Sequence, residues 1–414
     1  MTIISKIKAR SLFTKLLPEL KKVYFSLKKK NALCIRLYSD KPLICRLRIK
    51  APKQYLQVSF ETVDSVINSQ SYSISKFYVE DRIGEGKFIQ TRLREMSSFV
   101  SKTQIVLLKI RDRNFSFRSN FLMSPECNIL GSSKKNGEKF VKSTPAWNSV
   151  FFKPNRKVLK GTVAYLSNND SGNYYHWMTL TLPLLDFYNR EVGLENIDWF
   201  YVGKLNSKIK KRLLPFQADS LRKLGIPENK IIHDDCTGDQ LLTAFSNPNL
   251  CFGGHHISSD SYKFVRNVFL NNLNTNSKEK TRIYVSRGDV NRRKVIDESK
   301  AIDLLSVYGF TEVSMDNLSV NEQAELFNKA EAIVSPHGAA LTNLLFVEEK
   351  TKVIELLPYG YTNNCFFVLA NYAKAEYFYL QGKNINQVNV NENRKLDIDI
   401  DLDRLKTVCQ IANL

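Results

Sequence analysis

The chain has 414 residues, of which 25% are charged and 43% are hydrophobic, and these proportions exclude collagen-like, low-complexity and wholly disordered proteins. This length favours two or three domains, and no stretch approaches the ~18 consecutive apolar residues of a membrane span. Seven scattered cysteines with no C-x-x-C pair argue against a disulfide framework or a zinc site and favour a reducing compartment. No signal-peptide pattern is recognised at the N-terminus, so we expect a cytoplasmic protein, soluble or at most peripheral to a membrane.

The net charge of +20 is concentrated at one end of the chain. Residues 1–50 contain 14 Lys and Arg residues against two acidic residues, with Leu and Phe interleaved. Two interpretations remain open: a basic amphipathic helix that binds an anionic membrane surface, or a solvated leader. Nucleic acid is not an expected partner, because no recognition-module pattern accompanies the charge.

The first half of the chain changes character near residue 160. Residues 51–160 predict a mixed, strand-rich and irregular extension. The elements predicted after it are strands at Val163–Leu166, Trp199–Val202, Ile231–Ile232 and Leu241–Ala244, and helices at Tyr174–Tyr188, Lys208–Leu224 and about Asp260–Leu273. The polar link Asn274–Lys280 is the predicted domain boundary.

The second half alternates more regularly between strands and helices. The predicted strands are Arg282–Val285, Phe310–Val313, Ala332–Ser335, Lys352–Leu356 and Glu376–Leu380, and the predicted helices are Asp297–Tyr308, Val320–Ala330, Gly338–Leu345, Asn363–Ala373 and a closing helix from about Asp403. Such alternation predicts an α/β protein with parallel sheets, and two blocks in tandem predict two Rossmann-like domains facing a cleft. The predicted organisation is a basic leader (1–50), an N-terminal domain (51–274), a C-terminal domain (275–385) and a C-terminal tail (386–414).

The segment Ala332–Asn343 has the sequence AIVSPHGAALTN, in which a buried strand runs through Pro336 and His337 into a helix that begins at Gly338. The first amides of a helix are unpaired and attract anions. Small residues at 338–340 allow a diphosphate to approach the backbone, and His337 could bond a phosphate or a sugar hydroxyl. The alternative is an ordinary strand–helix turn whose small residues serve packing.

The segment Tyr284–Arg293 ends a strand at Ser286 and Arg287 and brings two further guanidinium groups, Arg292 and Arg293. Arginine matches phosphate geometry bidentately, and its fixed charge can stabilise a leaving diphosphate without a metal. The alternative is a surface loop with a solvated run of charge.

The segment Asn173–Trp177 places His176 at the start of an apolar helix that follows a strand. Histidine near its ordinary pKa suits a general base. A hydrogen-bonded core histidine is the alternative.

Together these segments resemble glycosyltransferase family 61. The matching stretches are Asn173–Trp177, Tyr284–Arg287 with Arg292, Arg293 and Asp297-Glu298, Pro336–Asn343, and Val353–Pro358, in order over about residues 160–405. The resemblance implies a GT-B architecture and an inverting, metal-independent transfer from a nucleotide-sugar donor to a hydroxyl of a surface or capsular glycan, with no cofactor. By the resemblance, the C-terminal domain (275–385) binds the nucleotide sugar and the N-terminal domain (51–274) shapes the site of the glycan acceptor. A basic leader at an anionic membrane would favour a lipid-linked glycan as that acceptor.

The resemblance also assigns candidate roles to residues. The donor-binding candidates are Ser286, Arg287, Arg292, Arg293, Gly338, Ala339, Thr342, Asn343 and Glu355, of which Glu355 would hold ribose hydroxyls. The acceptor-side candidates are Asn173, Tyr175 and Trp177. Many relatives carry an acidic residue four positions after the histidine, where this chain has Leu180. His176 is therefore the predicted base, with Glu298 and His337 as alternatives.

Other short motifs in the sequence are weaker indications of function. The D-x-D pattern in Asp397–Asp403 is better explained by strand or helix-cap carboxylates than by metal binding, Gly84–Lys87 does not complete a phosphate loop, and His255-His256 lacks a third metal ligand. No G-x-G-x-x-G opens either Rossmann-like block. Two alternatives remain open: another nucleotide-sugar enzyme, such as an epimerase or dehydrogenase, and a non-catalytic glycan- or membrane-binding scaffold.

Overall fold

The structure is a computed structural model. It describes residues 56–66, 100–111, 113, 115–118, 121–123, 129–130, 156–167, 171–203, 213–246, 257, 259–271, 280–288, 292–361, 363, 365–383 and 396–414. The basic leader, the Gly84–Lys87 segment, His255-His256 and most of the predicted 274–280 link lie outside the described residues. The predicted domain boundaries therefore stay predictions, as does the strand-rich N-terminal extension.

The described elements alternate along the chain much as the sequence predicts. The strands are β1 (Leu56–Val66), β2 (Val100–Ile110), β3 (Ser116–Arg118), β4 (Phe121–Met123), β5 (Ile129–Leu130), β6 (Lys157–Val158), β7 (Thr162–Tyr165), β8 (Trp199–Tyr201), β9 (Ile231–Ile232), β10 (Cys236–Thr237), β11 (Gln240–Ser246), β12 (Thr281–Val285), β13 (Phe310–Val313), β14 (Ala330–Pro336), β15 (Lys352–Leu357) and β16 (Glu376–Gln381). The α-helices are α1 (Tyr174–His176), α2 (Leu184–Val192), α3 (Pro215–Lys223), α4 (Ser259–Leu270), α5 (Glu298–Val307), α6 (Val320–Lys329), α7 (Cys365–Tyr372) and α8 (Leu402–Ile411).

The C-terminal sheet is wholly parallel, with the strand order β13-β12-β14-β15-β16. Each strand lies within two residues of its predicted bounds. The central strands β14 and β15 are almost wholly buried, whereas the edge strand β13 exposes Thr311 and Glu312. Counted along the chain, this is the order 2-1-3-4-5 of a doubly wound α/β sheet. The predicted α/β class is confirmed.

Helices cover both faces of this sheet, because alternate residues of each strand point to opposite sides. On one face, Ile283, Ile333 and Val353 pack with the apolar residues of α6 and α7. On the other face, Tyr284, Val334 and Ile354 pack with those of α5 and α8. The first face is also the side toward which Glu355 is directed, since it lies two residues after Val353 on β15.

The N-terminal sheet is mixed, with the strand order β1-β2-β11-β7-β8-β9. Strands β11, β7, β8 and β9 are parallel, whereas β2 runs antiparallel to β11. A smaller sheet, β5-β4-β3-β10-β6, packs the ring of Phe117 against Tyr165 and Tyr201. The parallel strands are compatible with the predicted Rossmann-like arrangement.

One hydrophobic core serves both larger sheets. It runs without interruption from Ala164 and Phe200 in the N-terminal sheet to Ile333 and Val353 in the C-terminal sheet. Both sheets belong to one compact unit, residues 57–414. Within the described part of the chain, no helix combines the length and the apolar composition that a membrane crossing requires.

The prediction of one continuous α-helix over Tyr174–Tyr188 is wrong, because the helical segment is irregular. The three-residue α1 continues as a π-helical turn, Trp177–Thr181, in which the amide of Leu182 donates to the carbonyl of Trp177. The hydroxyl of Thr179 also donates to the carbonyl of Tyr175, which lies four residues back, at 2.6 Å. Such side-chain bonds compete with the regular helix, and Pro183, which lacks an N–H, precedes the restart at α2.

The helix predicted at Gly338–Leu345 is a 3₁₀ helix that covers Ala339–Leu345. Gly338 precedes it in an extended conformation, and the amide of Leu341 closes the first turn on the carbonyl of Gly338. The predicted anion site at an α-helix N-terminus therefore lacks the α-helix that it assumed.

Candidate functional site

The fold itself indicates where a ligand binds. In a doubly wound sheet of order 2-1-3-4-5, the crevice opens at the carboxyl ends of the first and third strands, where the chain leaves in opposite directions. Here those strands are β12, which leads into Ser286 and Arg287, and β14, which leads into His337 and Gly338. The two sharpest sequence motifs, fifty residues apart in the chain, therefore meet at this edge of the sheet.

A hydrogen bond joins the two motifs directly. Nη1 of Arg287 donates to the carbonyl oxygen of His337 at 2.7 Å. A Cβ at residue 338 would overlap with the same Nη1, so the guanidinium group lies against the backbone of Gly338. Because Gly338 is extended, with φ −172°, any residue could adopt its backbone conformation. The glycine is needed here because a larger side chain would occupy the space of the Arg287 guanidinium group.

Positive charge is concentrated beside this contact. Burial, reinforced by the neighbouring Arg293 and Arg292, lowers the pKa of Arg287 to about 10. Burial is also the main cause of the lowered pKa of Arg293. Both guanidinium groups are half-buried, and the Nε of each is buried with no hydrogen-bond partner among the described residues. Arg292 is exposed.

Arg287 and Arg293 form no ion pair with a carboxylate in the described part of the chain. Several other arginines that the structure describes do so, for example Arg282 with Glu331 at 2.6 Å. The carboxylates of Glu298 and Glu355 act on Arg287 and Arg293 only at longer range, so burial outweighs them and both pKa values are lowered. The arrangement therefore suits the binding of an anion.

His337 is held from behind by a buried carboxylate. The residue is 4% exposed, and Nδ1 of its ring forms a short hydrogen bond with Oε1 of Glu355. The other carboxylate oxygen of Glu355 accepts a short hydrogen bond from the hydroxyl of Tyr377. Burial, reinforced by Glu355, raises the pKa of Tyr377 well above its ordinary value, so this hydroxyl keeps its proton. Both oxygens of Glu355, the predicted ribose ligand, are thus engaged inside the protein.

The motif Asn173–Trp177 is connected to His337 through aromatic contacts. Asn173 caps α1, since its Oδ1 accepts from the amides of Tyr175 at 2.9 Å and His176 at 3.4 Å. The ring of Tyr175 meets that of His176 edge-on at 5.4 Å and that of Phe366 at 5.7 Å. Phe366 lies 4.9 Å from the His337 ring. His176 and His337 therefore belong to one aromatic cluster.

A polar bridge also connects these segments. The hydroxyl of Tyr174 donates to Oδ1 of Asn343 at 2.7 Å, and Nδ2 of Asn343 donates to Gln323 at 2.8 Å. Asn343, a predicted donor ligand, is fully buried and has both ends of its amide engaged. Burial, reinforced by Asp219, raises the pKa of Tyr174.

The remaining candidates occupy varied environments. Trp177 is fully buried, and its indole N–H donates to Oγ of Ser220 at 2.8 Å. Glu298 begins α5 and accepts from the hydroxyl of Tyr284 at 2.7 Å. Ser286 and Ala339 are half-buried at the sheet edge, whereas Thr342 is fully buried with its hydroxyl unpaired among the described residues.

Comparison with known protein families identifies part of the chain. The family model Glycosyltransferase 61 matches residues 174–354. This region belongs to glycosyltransferase family 61. No curated protein matches the chain.

The glycosyltransferase 61 region contains most of the candidate site. It begins at Tyr174, one residue after the capping Asn173, and it ends at Ile354, one residue before Glu355. The resemblance inferred from the motifs is confirmed, and the family implies a transferase with a nucleotide-sugar donor and a glycan acceptor. The roles of individual residues stay predictions.

Sequence reasoning missed four residues of the site: Tyr174, Tyr361, Phe366 and Tyr377. Tyr361 and Phe366 contact the His337 ring at 5.0 Å and 4.9 Å. Tyr174 lies inside a quoted motif, so its polar hydroxyl in an apolar segment was an available signal. The other three come from the β15–β16 region, and no local pattern distinguishes them from core residues.

The acidic C-terminal segment serves local structure. Oδ1 of Asp397 accepts from the amide of Lys294 at 2.9 Å, and Asp401 caps α8. Across the described ranges, no group of three or more His, Cys, Asp or Glu side chains is arranged to hold a metal ion.

Proposed function

We propose that the chain is an inverting, metal-independent glycosyltransferase that moves a sugar from a nucleotide-sugar donor to a hydroxyl of a surface or capsular glycan. The observation that carries this proposal is the pair of half-buried guanidinium groups, Arg287 and Arg293, which lack carboxylate partners among the described residues. They lie at the edge of the sheet where doubly wound folds bind nucleotides.

The diphosphate of the donor is the ligand that this charge fits best. Guanidinium groups hold phosphate oxygens bidentately, and in a partly buried site they stabilise the negative charge that develops on a leaving diphosphate. Arg292 is exposed and adds to the positive potential at the entrance. Fixed positive charge of this kind performs the role that a divalent cation has in metal-dependent transferases.

His176 is the proposed base. In the reaction, the acceptor oxygen forms a bond to the anomeric carbon while the bond from that carbon to the diphosphate breaks. The bonding electron pair leaves with the diphosphate, and His176 takes the proton of the hydroxyl. The Asn173 cap and the contact with Tyr175 support this role, because they hold the residue beside the His337 cluster. Glu298 is the weaker candidate, since a hydrogen bond from Tyr284 engages its carboxylate.

The parallel C-terminal sheet and the four parallel strands of the mixed N-terminal sheet support a GT-B-like division of labour, in which the C-terminal sheet binds the donor and the N-terminal sheet shapes the acceptor site. A lipid-linked glycan at an anionic membrane is the acceptor that we propose. The basic residues 1–50 would bring a cytoplasmic enzyme to that surface.

The test is a screen of nucleotide sugars against the purified full chain in the presence of EDTA. A donor that binds the folded state raises the melting temperature, and slow release of nucleoside diphosphate from that donor is the expected result. A change in NAD absorbance would instead indicate a dehydrogenase. Binding with no turnover, even when glycan acceptors are added, would indicate a scaffold.

A further inference from the structure

The hydrogen-bonded line His337–Glu355–Tyr377 has no role in the transfer described above. It crosses three positions of the C-terminal sheet, from the turn after β14 through β15 to β16. Glu355 is opposite Ser335 on one neighbouring strand and opposite Tyr379 on the other, and Tyr377 lies two residues before Tyr379. Glu355 and Tyr377 therefore share the face of the sheet from which His337 emerges.

We propose that Glu355 and Tyr377 are positioning residues that keep a proton on Nδ1 of His337. Nε2 then accepts a hydrogen bond from a hydroxyl of the nucleotide sugar. The identity of the ligand as a nucleotide sugar rests on the proposed function, whereas the position of the proton on His337 does not.

The chemistry of Glu355 determines the direction of these bonds. A fully buried carboxylate is stable in its ionised form only when donors satisfy its oxygens. The hydroxyl of Tyr377 supplies one donor, and its raised pKa keeps it protonated. The second donor is Nδ1–H of His337, because no other described group bonds Oε1.

The opposite ring nitrogen is directed away from Glu355 by the fixed geometry of imidazole. Nε2 makes no hydrogen bond with any described residue. Tyr361 contacts the ring edge-on at 5.0 Å, and the same tyrosine is close enough to Arg293 to influence its pKa. Nε2 therefore belongs to the region where the cationic groups gather.

The position of the proton decides what Nε2 recognises. A neutral ring with its proton on Nδ1 has a lone pair on Nε2, which accepts from a hydroxyl but cannot donate to a phosphate oxygen. Phosphate is already matched by the arginines, and a hydroxyl is the remaining polar group of a nucleotide sugar.

The test is a long-range ¹H–¹⁵N spectrum of the full chain labelled at its five histidines, recorded at pH 8. At this pH an ordinary histidine, with a pKa of about 6.5, is neutral. The resonances lost in His337→Gln identify residue 337. The expected result is a protonated Nδ1 and an unprotonated Nε2. A proton on Nε2 instead would overturn the proposal, since Glu355 would then be the donor.

Two variants test the two positioning residues. Glu355→Gln replaces one acceptor oxygen by a donor, so we expect the proton of His337 to move at least partly to Nε2 and the donor KM to rise about tenfold. Tyr377→Phe keeps the carboxylate, so we expect the tautomer to be retained and the KM to rise less. Tyr188→Phe is the control, because it removes a buried hydroxyl that donates to the carbonyl of Tyr165 in the other sheet. An unchanged tautomer in folded Glu355→Gln would overturn the assignment; if that variant does not fold, the wild-type spectrum still decides.

Adding the nucleotide sugar that gives the largest thermal shift tests the ligand contact. We expect Nε2 to shift but to stay unprotonated, as for an acceptor from a hydroxyl. Protonation of Nε2 on binding would instead assign it to a phosphate oxygen and overturn the hydroxyl contact. If no nucleotide sugar binds, the proposed function fails, while the tautomer of the free protein still tests the positioning role.

Discussion

Nη1 of Arg287 lies 2.7 Å from the carbonyl oxygen of His337 and occupies the space that a side chain at residue 338 would need. This contact joins the carboxyl ends of β12 and β14, the two strands between which a doubly wound sheet opens its ligand crevice. The hydrogen bond therefore fixes the guanidinium group of Arg287, which we propose to bind the ligand, against the turn that contains His337.

Gly338→Ala is expected to lower activity strongly while changing stability little. The new methyl group overlaps with the end of a flexible arginine side chain, which can move, and the extended backbone accepts any residue. We expect the free energy of unfolding to change by less than about 1 kcal/mol. The displaced Arg287 loses its bond to His337, so release of nucleoside diphosphate should fall by about 100-fold.

Gly172→Ala is the matched control, because a Cβ there meets Leu214 at an ordinary 4.0 Å and no closer atom of the described residues. Denaturant unfolding and a turnover assay on both variants check the prediction. Full activity in Gly338→Ala would mean that the position of Arg287 does not matter for transfer.

Arg287→Gln is expected to lower turnover by at least about 100-fold, the scale of losing one group that stabilises the transition-state charge. Arg282→Gln makes the same change of charge on the same strand, but its side chain pairs with Glu331 outside the site. Steady-state assays of the two variants should therefore differ widely. Equal activities would remove Arg287 from the site.

Arg293→Gln is expected to stabilise the protein when no ligand is bound. The pKa of Arg293 is lower in the folded protein than in the unfolded chain, so its charge disfavours folding at every pH below the folded pKa, neutral pH included. Removing the charge should raise the melting temperature of the free protein and reduce the further rise that pyrophosphate produces. A lower melting temperature without ligand would show that the guanidinium has a favourable partner.

His176→Ala is expected to reduce kcat by about 10² to 10⁴, the usual contribution of a general base, while donor affinity changes little. His233→Ala is the control histidine, since its ring bonds the backbone of Gly203 at 3.0 Å in the N-terminal sheet region. Kinetics and donor binding measured on both variants test the assignment. A normal kcat in His176→Ala would show that His176 is not the base and would favour Glu298.

Tyr174→Phe is expected to cost about 1–3 kcal/mol of unfolding free energy, because it leaves the buried Oδ1 of Asn343 without its donor. The double variant with Asn343→Leu should cost less than the sum of the two single changes, since the unpaired oxygen is then absent. Urea unfolding of the three variants gives the coupling. Strict additivity would mean that the bridge contributes no stability.

The C-terminal sheet was predictable because its strands are short, mostly apolar and separated by helical segments. Phe310–Val313 and the start of α6 at Val320 have the predicted bounds, and a capping box, Ser319 with Glu322, starts that helix. The motif residues Arg287 and His337 were also accessible, because each directly follows a buried strand.

The contacts of Glu355 were not predictable, because they depend on the register between strands. Sequence reasoning placed Glu355 at a strand end with its oxygens toward a ligand, whereas the pairing of β15 with β16 brings Tyr377 to one oxygen and His337 to the other. The π-helical turn at Trp177–Thr181 was missed for a related reason, since apolar periodicity does not report a single extra residue in a helical turn.

The uninterrupted core between the two larger sheets has a consequence for substrate exchange. Leu166, Trp177, Phe366 and Leu357 all belong to this core. Rotating one half of the molecule away from the other would bring these apolar surfaces into water. We therefore expect donor entry and product departure to proceed by rearrangement of local segments around the crevice, with the two halves moving as a single rigid frame.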